Sequence, residues 1–332
     1  MLDVLTELTQ FLSSIRFDEA FTNAIADYLG GKCDMDEEGN LYLNRKEHPS
    51  ALLMVPFSSY PLEVDRVHED GSVSFKLCGA CSVVPLPGSE IVIHGRKAYA
   101  GVIGSVPPHL QKGYQATGAY ELTDLRCDVG GTYEKLKENI LSGCRISYHA
   151  NKPYRLLEGK IAGRDLELTA PAAALLNSAD ALAGREEITV CFCANWYKAI
   201  ERIQPECLIV VDAADIEHFK REYRHGEGIH KLYFEKGIHV TPKIVDLLVS
   251  SADAAGIDYD VLVKSDKTED VHALTWYIQS AFGGTPVGTV FIPYECGSSG
   301  AQVISEGSAE RLSKLLENIG TFPKRSELCS NI

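Results

Sequence analysis

Ala51-Leu-Leu-Met-Val55 is an uninterrupted apolar run of strand length, and Cys207-Leu-Ile-Val-Val211 repeats the texture later in the chain. A strand with one wet face alternates apolar and polar residues. A run with no alternation predicts a strand covered on both faces, as in a sheet sandwiched by helices. Working outward, residues 2–29 carry a helical repeat (Leu5, Leu8, Leu12, Ile15, then Phe21, Ile25 and Leu29), stopped by Gly30-Gly31 as a C-cap. Residues 41–43 read as a strand. Beyond residue 156, helices (170–182, 242–255, 271–281, 306–319) alternate with buried strands (188–193, 207–211, 259–263, 287–292). This order predicts an α/β fold, a sheet flanked by helices.

The texture changes between these parts. From Glu63 to about Pro153, short alternating strands such as Gly71-Ser-Val-Ser-Phe75 and Ile91-Val-Ile-His94 are broken by Gly and Pro. The reading is an α/β domain made of residues 1–62 and 155–332, interrupted by a small all-β domain at 63–154.

The 332 residues are 45% hydrophobic and 23% charged, with a formal net charge of −14. That balance, with no Lys/Arg stripe, argues against a nucleic-acid partner. The apolar runs fall far short of a membrane span, and residues 1–7 lack a basic lead into an apolar stretch. The expectation is a cytoplasmic protein whose ten Cys are reduced.

Several motifs together resemble the glutamyl/tetrahedral aminopeptidase family of di-zinc peptidases, the "cellulase M" group. Gly101-Val-Ile-Gly-Ser-Val-Pro-Pro-His-Leu110 is similar to that family's Gly-Val-Ile-Gly-x-x-Pro-Pro-His-Leu. Asp70-Gly-Ser-Val-Ser-Phe75 precedes it and Leu122-Thr-Asp-Leu-Arg-Cys-Asp-Val-Gly130 follows. Ile203-Gln-Pro-Glu-Cys-Leu-Ile-Val-Val-Asp212 and Ala255-Gly-Ile-Asp-Tyr259 come later in the expected order. The resemblance implies a zinc-peptidase-like mixed sheet with a barrel-like insertion, assembly into homo-oligomers, and hydrolysis by paired divalent ions that clamp a water and the scissile carbonyl beside a Glu base.

The same resemblance locates the positions that would hold those ions. Pro56 stands where the family has its first His, and Ser58 where it has the supporting Asp. Ala162 and Gly163 stand in the place of Asp-Asp before Arg164. Ala194-Asn-Trp-Tyr-Lys198 occupies the region of the Glu-Glu pair. Asp212 keeps its carboxylate, and Ser298 or Ser299 falls where the last His belongs. Pro and Ala offer no donor, and an unactivated Ser hydroxyl is a poor zinc ligand. The expectation is a non-catalytic descendant with no cofactor, holding a peptide, a small molecule or a partner subunit in the vacated cleft. The alternative is an active aminopeptidase with two zinc or cobalt ions on substitute ligands including Asp212, or other chemistry around Asp212, Arg164 and Cys296. A third reading is a structural subunit that assembles with active relatives.

Other constellations carry weaker signals. Cys78-Gly-Ala-Cys81 has knuckle spacing but lies in the β insertion. Cys191 and Cys193 share one strand face. Both pairs read as structural thiols. His218, His225 and His230 flank a charged segment that reads as a solvated face rather than a replacement metal site, and His109 reads as structural. Lys267-Thr-Glu-Asp270 falls where the family has Gly-Gly-Thr-Asp, so Asp270 is a candidate lining residue. Gly283-Gly-Thr-Pro286 and Gly297-Ser-Ser-Gly300 read as turns. A buried Asp212 without cations is expected to take up a proton or to pair, with Arg164 first, then Lys160 and His218.

Overall fold

A computed structural model describes residues 1–11, 17–57, 62–78, 82–105, 120–149, 152–218, 228–237, 239–263, 273–297 and 300–323. In chain order the elements are α1 (Leu2–Phe11), α2 (Phe17–Tyr28), β1 (Asp34–Met35), β2 (Leu41–Leu43) and β3 (Ala51–Pro56). Then come β4 (Leu62–Val67), β5 (Val73–Leu77), β6 (Glu90–His94), β7 (Ala98–Ser105), β8 (Leu125–Asp128), α3 (Tyr133–Leu136) and β9 (Arg145–Tyr148). The chain continues through β10 (Tyr154–Arg155), β11 (Lys160–Gly163), α4 (Leu166–Asn177), α5 (Ala179–Ala183), β12 (Ile188–Cys193), α6 (Trp196–Ile203) and β13 (Leu208–Asp215). It closes with β14 (Leu232–Lys236), α7 (Pro242–Ala255), β15 (Tyr259–Val263), α8 (Ala273–Ala281), β16 (Val287–Glu295), β17 (Gln302–Ser305) and α9 (Glu306–Glu317).

The molecule is α/β, with a mixed eleven-stranded sheet and a closed barrel of β4-β5-β8-β7-β6-β9. The sheet runs β1-β2-β12-β3-β13-β16-β17-β11-β10, and β14 joins β16 to β15. Its centre is parallel, β12 to β3 to β13 to β16. The apolar runs occupy this centre because both faces are covered. In β3 and β13, Leu53, Val55, Ile209 and Val211 face one way and pack with Leu175 of α4, Leu248 of α7 and Leu312 of α9. Leu52, Met54, Leu208 and Val210 face the other way, with Ala199, Ile200 and Ile203 of α6 and Ile278 of α8. The alternation of side chains along a strand thus feeds two separate cores. The barrel has its own core, including Val64, Phe75, Ile93, Ile103, Leu125 and Ile146. Closure leaves that small sheet without open edges.

Several expectations need correction. Residues 2–29 form two helices rather than one, and residues 12–16 between them lie outside the described residues. The segment read as one helix over 170–182 is α4 and α5, divided at Ser178, whose hydroxyl donates to Leu175 O at 2.9 Å. The strand expected to stop just before Asp212 continues to Asp215, because β16 extends beside it and keeps the ladder supplied with partners. Strand β14, unread in the sequence, joins the sheet. Among the described residues no helix is long and apolar enough to cross a membrane.

Candidate active site at the strand ends

The ladders of the central sheet do not end together. β12 and β3 pair through Cys193 and Pro56, and β13 and β16 pair through Asp215 and Tyr294. Between β3 and β13, however, pairing covers only Leu52–Met54 against Leu208–Val210. Past Met54 the ladder between the two strands ends, and we read the gap at their C-terminal ends as a candidate crevice. Pro56, with no N–H to donate, stands at that parting. Such crevices outside the carboxyl ends of parallel strands are where open α/β sheets bind ligands.

The crevice gathers acids. Asp212 lies on β13, just beyond the last residue paired with β3, and its Oδ1 accepts a 2.8 Å bond from the Ala213 N–H. Burial raises its carboxyl to about 7, the Ala213 bond offsets part of this, and Glu235 adds repulsion. Glu235 is buried on β14 and accepts from the hydroxyls of Thr289 (3.0 Å) and Thr275 (3.3 Å). Asp165 caps α4 in the left-handed region (φ 54°), and Glu167 follows in the first helical turn. The Glu167 N–H donates to Gln302 Oε1 at 3.1 Å, tying α4 to β17 beside the Gly163–Gln302 pair. Burial, then the charges of Asp165 and Asp212, push the Glu167 carboxyl well up. Burial also raises Asp165, which the Arg164 guanidinium partly offsets.

Tyr294 stands among these groups: its hydroxyl is raised first by burial, then by Glu167, Asp215 and Asp212. Gly297 closes one side, since any side chain there would collide with Asp215 Oδ2 and the Tyr294 ring. Asp165, Glu167, Asp212 and Tyr294 are thus deeply enclosed, yet each keeps some accessible surface. Groups that are both deep and partly accessible are the candidate lining of the crevice.

The sequence-predicted positions fall as follows. Pro56 ends β3. Ala162 and Gly163 are buried at the end of β11. Asp212 lies in the crevice, but the expected pair with Arg164 does not form. The guanidinium carbon lies 4.5 Å from the centroid of the Tyr148 ring, on the barrel strand β9. Among the described residues Asp212 has no ion pair with Arg164 or Lys160. The reason is direction: Arg164 leaves β11 at the turn into α4 and is drawn to the aromatic face of the barrel, where its planar cation stacks. Ser58, Ser298, Ser299, Cys81, His109, His225, Asp270 and the side chain of His218 lie outside the described residues.

Cys191 and Cys193 share one face as expected, with sulfurs 3.0 Å apart in the core beneath α6. His230 is exposed, its Nδ1 2.8 Å from Ser305 Oγ. The Cys296 thiol is raised by burial and by Glu217, Glu295 and Asp215, the opposite of an activated nucleophile. Asp165, Glu167, Glu235 and Tyr294 were missed in the sequence. The available signal was two acids spaced two apart directly after Arg164, which read as ordinary helix-start residues.

Residues 61–315 match the M42 glutamyl aminopeptidase family. The chain belongs to this family. Against SgcX of Escherichia coli (strain K12), provisionally named an aminopeptidase, it is 23% identical over 321 residues, covering 85% of this chain and 84% of that protein. Aminopeptidase APDkam598 from the archaeon Desulfurococcus kamchatkensis superposes with a TM-score of 0.81 at 18% identity, over 99% of this chain and 96% of that one. The TET1 peptidase of Pyrococcus horikoshii, which assembles into a tetrahedron or a large octahedral shell, gives 0.75 at 18% identity, over 95% and 98%. The M42 fold therefore accounts for the sheet and the barrel together.

M42 enzymes imply divalent metal ions, which need several converging His or carboxylate donors. Among the described residues no group of three or more His, Cys, Asp or Glu could hold a metal ion. The described donors do not fit a resident metal pair.

Proposed function

We propose that this M42 chain is a non-catalytic member of its family, and that it binds a peptide or small-molecule ligand in the crevice between β3 and β13. The observation that carries this reading is the composition of the crevice. Pro56, Ala162 and Gly163 supply no donor atoms where the resemblance calls for ligands, and Asp212 alone keeps a carboxylate among those described positions. The proposal includes assembly with copies of itself, supported by the shells formed by the Pyrococcus relative, and a cytoplasmic location, where its described cysteines stay free thiols. It also includes a division into residues 1–62 with 155–332 and an inserted unit at 63–154, supported by barrel strands that run from Leu62 to Tyr148.

The test joins metal analysis to an aminopeptidase assay on the full chain purified without chelator. We expect well under one zinc, cobalt or manganese per chain. We also expect cleavage of Leu-, Glu- and Ala-p-nitroanilide no faster than a mock preparation, with or without added zinc or cobalt. Loss of a general base alone costs about 10²–10⁴-fold. A chelator-sensitive rate that copurifies with the protein through two columns would overturn the reading. Sedimentation showing only monomer at micromolar concentration would remove its oligomeric part.

A further inference from the structure

We propose that the outer face of α8, with the adjoining start of α6, is a surface on which two copies of this chain meet about a two-fold axis. The inference rests on the assembly proposed above and names the surface that carries it. Among the described α-helices, α8 alone has no Asp, Glu, Lys or Arg; every other one carries at least one. A helix without charge is expected where it is buried all round.

Within one chain α8 is buried on one side only. Leu274, Ile278 and, just past the helix, Phe282 pack toward the sheet beside α6, and Thr275 is buried against Glu235. Trp276 and Tyr277 point outward, 45% and 49% exposed, their ring centroids 4.9 Å apart. Ser280 and Ala281 are exposed as well, and Gly283 and Gly284 continue the uncharged surface beyond the helix. The surface extends onto α6. Tyr197 there is 41% exposed, and its ring lies 4.9 Å from that of Phe282 and 5.9 Å from that of Trp196. Lys198 beside it is paired with Glu201 at 2.7 Å. Large aromatic side chains with a wet edge are the groups that anchor protein interfaces.

Charge selects the occupant. With 46 acidic residues against 32 Lys and Arg, the chain carries a net charge of −14, so two copies repel one another over most of their surfaces. They approach at least cost where both surfaces are neutral. A two-fold axis at α8 sets the neutral surface of one copy against the same surface of the other, which satisfies both at once. A basic partner would be drawn to the acidic remainder of the molecule instead. An anionic lipid surface would call for Lys or Arg on the helix, and α8 has none.

The test compares the full chain with Trp276→Glu, Tyr277→Glu and Tyr277→Ala by sedimentation velocity over a range of micromolar concentrations. Tyr154→Glu, at a 56% exposed position on the edge strand β10, serves as the control. Circular dichroism shows that each variant is folded, and Tyr277→Ala, which suits a helix and adds no charge, keeps the test open should either Glu variant misfold. Trp276→Glu and Tyr277→Glu place like charges on both sides of the contact. They are expected to sediment as smaller particles than the parent, with a dissociation constant raised roughly tenfold or more. Their Tm should also lose the dependence on protein concentration that the assembled parent shows. Tyr277→Ala should weaken assembly in the same direction, and Tyr154→Glu should assemble as the parent does. A parent that is monomeric throughout would overturn the assembly reading, and this proposal with it. A parent that assembles, beside folded α8 variants that assemble equally well, would overturn this proposal and leave that reading standing. Loss of assembly in Tyr154→Glu alone would do the same, and would move the contact to β10.

Discussion

Asp212 carries two conflicting demands, a place at the floor of a crevice and a carboxylate with no cation beside it among the described residues. Its carboxyl rises from 3.8 to about 7, mainly through burial. The folded chain therefore holds this proton to a higher pH than the unfolded chain does. Between about pH 4 and pH 7 the native state binds more protons, so stability falls as pH rises through that window and levels off above it. A tenfold change in acidity is worth about 1.4 kcal/mol. Asp212 keeps some accessible surface, and solvent screening reduces the full effect to roughly 1–3 kcal/mol. Asp212→Asn removes the charge and keeps the hydrogen-bonding shape, so it should be more stable than the parent at pH 8, and the two should converge toward pH 4.5. Urea melts across that range give the answer, and a variant less stable at pH 8 would show that the carboxylate is compensated. Asp212 was legible because it ends an apolar run. Its surroundings were not, since Glu167 lies 45 positions earlier in the chain and approaches through the packing of α4 on β13 and its bond to Gln302 of β17. The same gap misled the expectation for Arg164, whose neighbour in sequence reveals nothing about the barrel ring it meets.

Elements were legible where one physical signal dominated. The apolar runs within β3, β12 and β13 announced a doubly covered sheet, and α7 was bounded by Pro242 at its start and Gly256 in the left-handed region at its end. Strand β14 was not. Leu232-Tyr-Phe-Glu-Lys236 includes a buried Glu whose partners, Thr275 and Thr289, come from elements far along the chain. A charged residue in a short run reads as exposed until those hydroxyls are in place. Gly288 shows what the sheet asks of its helices. It lies on β16, and a Cβ there would drive into the Ile244 side chain of α7. The helix can approach this closely only because the side chain is missing. Gly288→Val should therefore push α7 away and cost about 1–3 kcal/mol, the usual range for overpacking. The β-branched residue otherwise favours a strand, so a chemical melt matching the parent would mean that α7 yields freely.

For the molecule as a whole, the sheet and the barrel have separate cores, and the short strands of the barrel were visible as a change of texture after Leu62. How they hold each other was not visible, because it depends on side chains that meet only in space. Arg164 is one such link: it leaves the end of β11 in the sheet and lies 4.5 Å over the ring of Tyr148 in the barrel. A guanidinium over an aromatic face at a partly exposed site is worth about 0.5–1 kcal/mol. Arg164→Ala and Tyr148→Leu should each destabilise, and the double variant should lose less than their sum by about that amount. The four proteins of this cycle can be compared by urea unfolding at pH 8. The cycle also separates this account from the pairing first expected of Arg164. If Arg164 neutralised Asp212, Arg164→Ala would strand a buried charge and cost about 3–5 kcal/mol, and Asp212→Asn would rescue it. With the cation stacked on the barrel instead, Arg164→Ala and Asp212→Asn should be additive within about 0.5 kcal/mol, as sites without a shared partner are. Strong rescue by Asp212→Asn, with no coupling to Tyr148→Leu, would return Arg164 to the crevice and remove it from the junction between sheet and barrel.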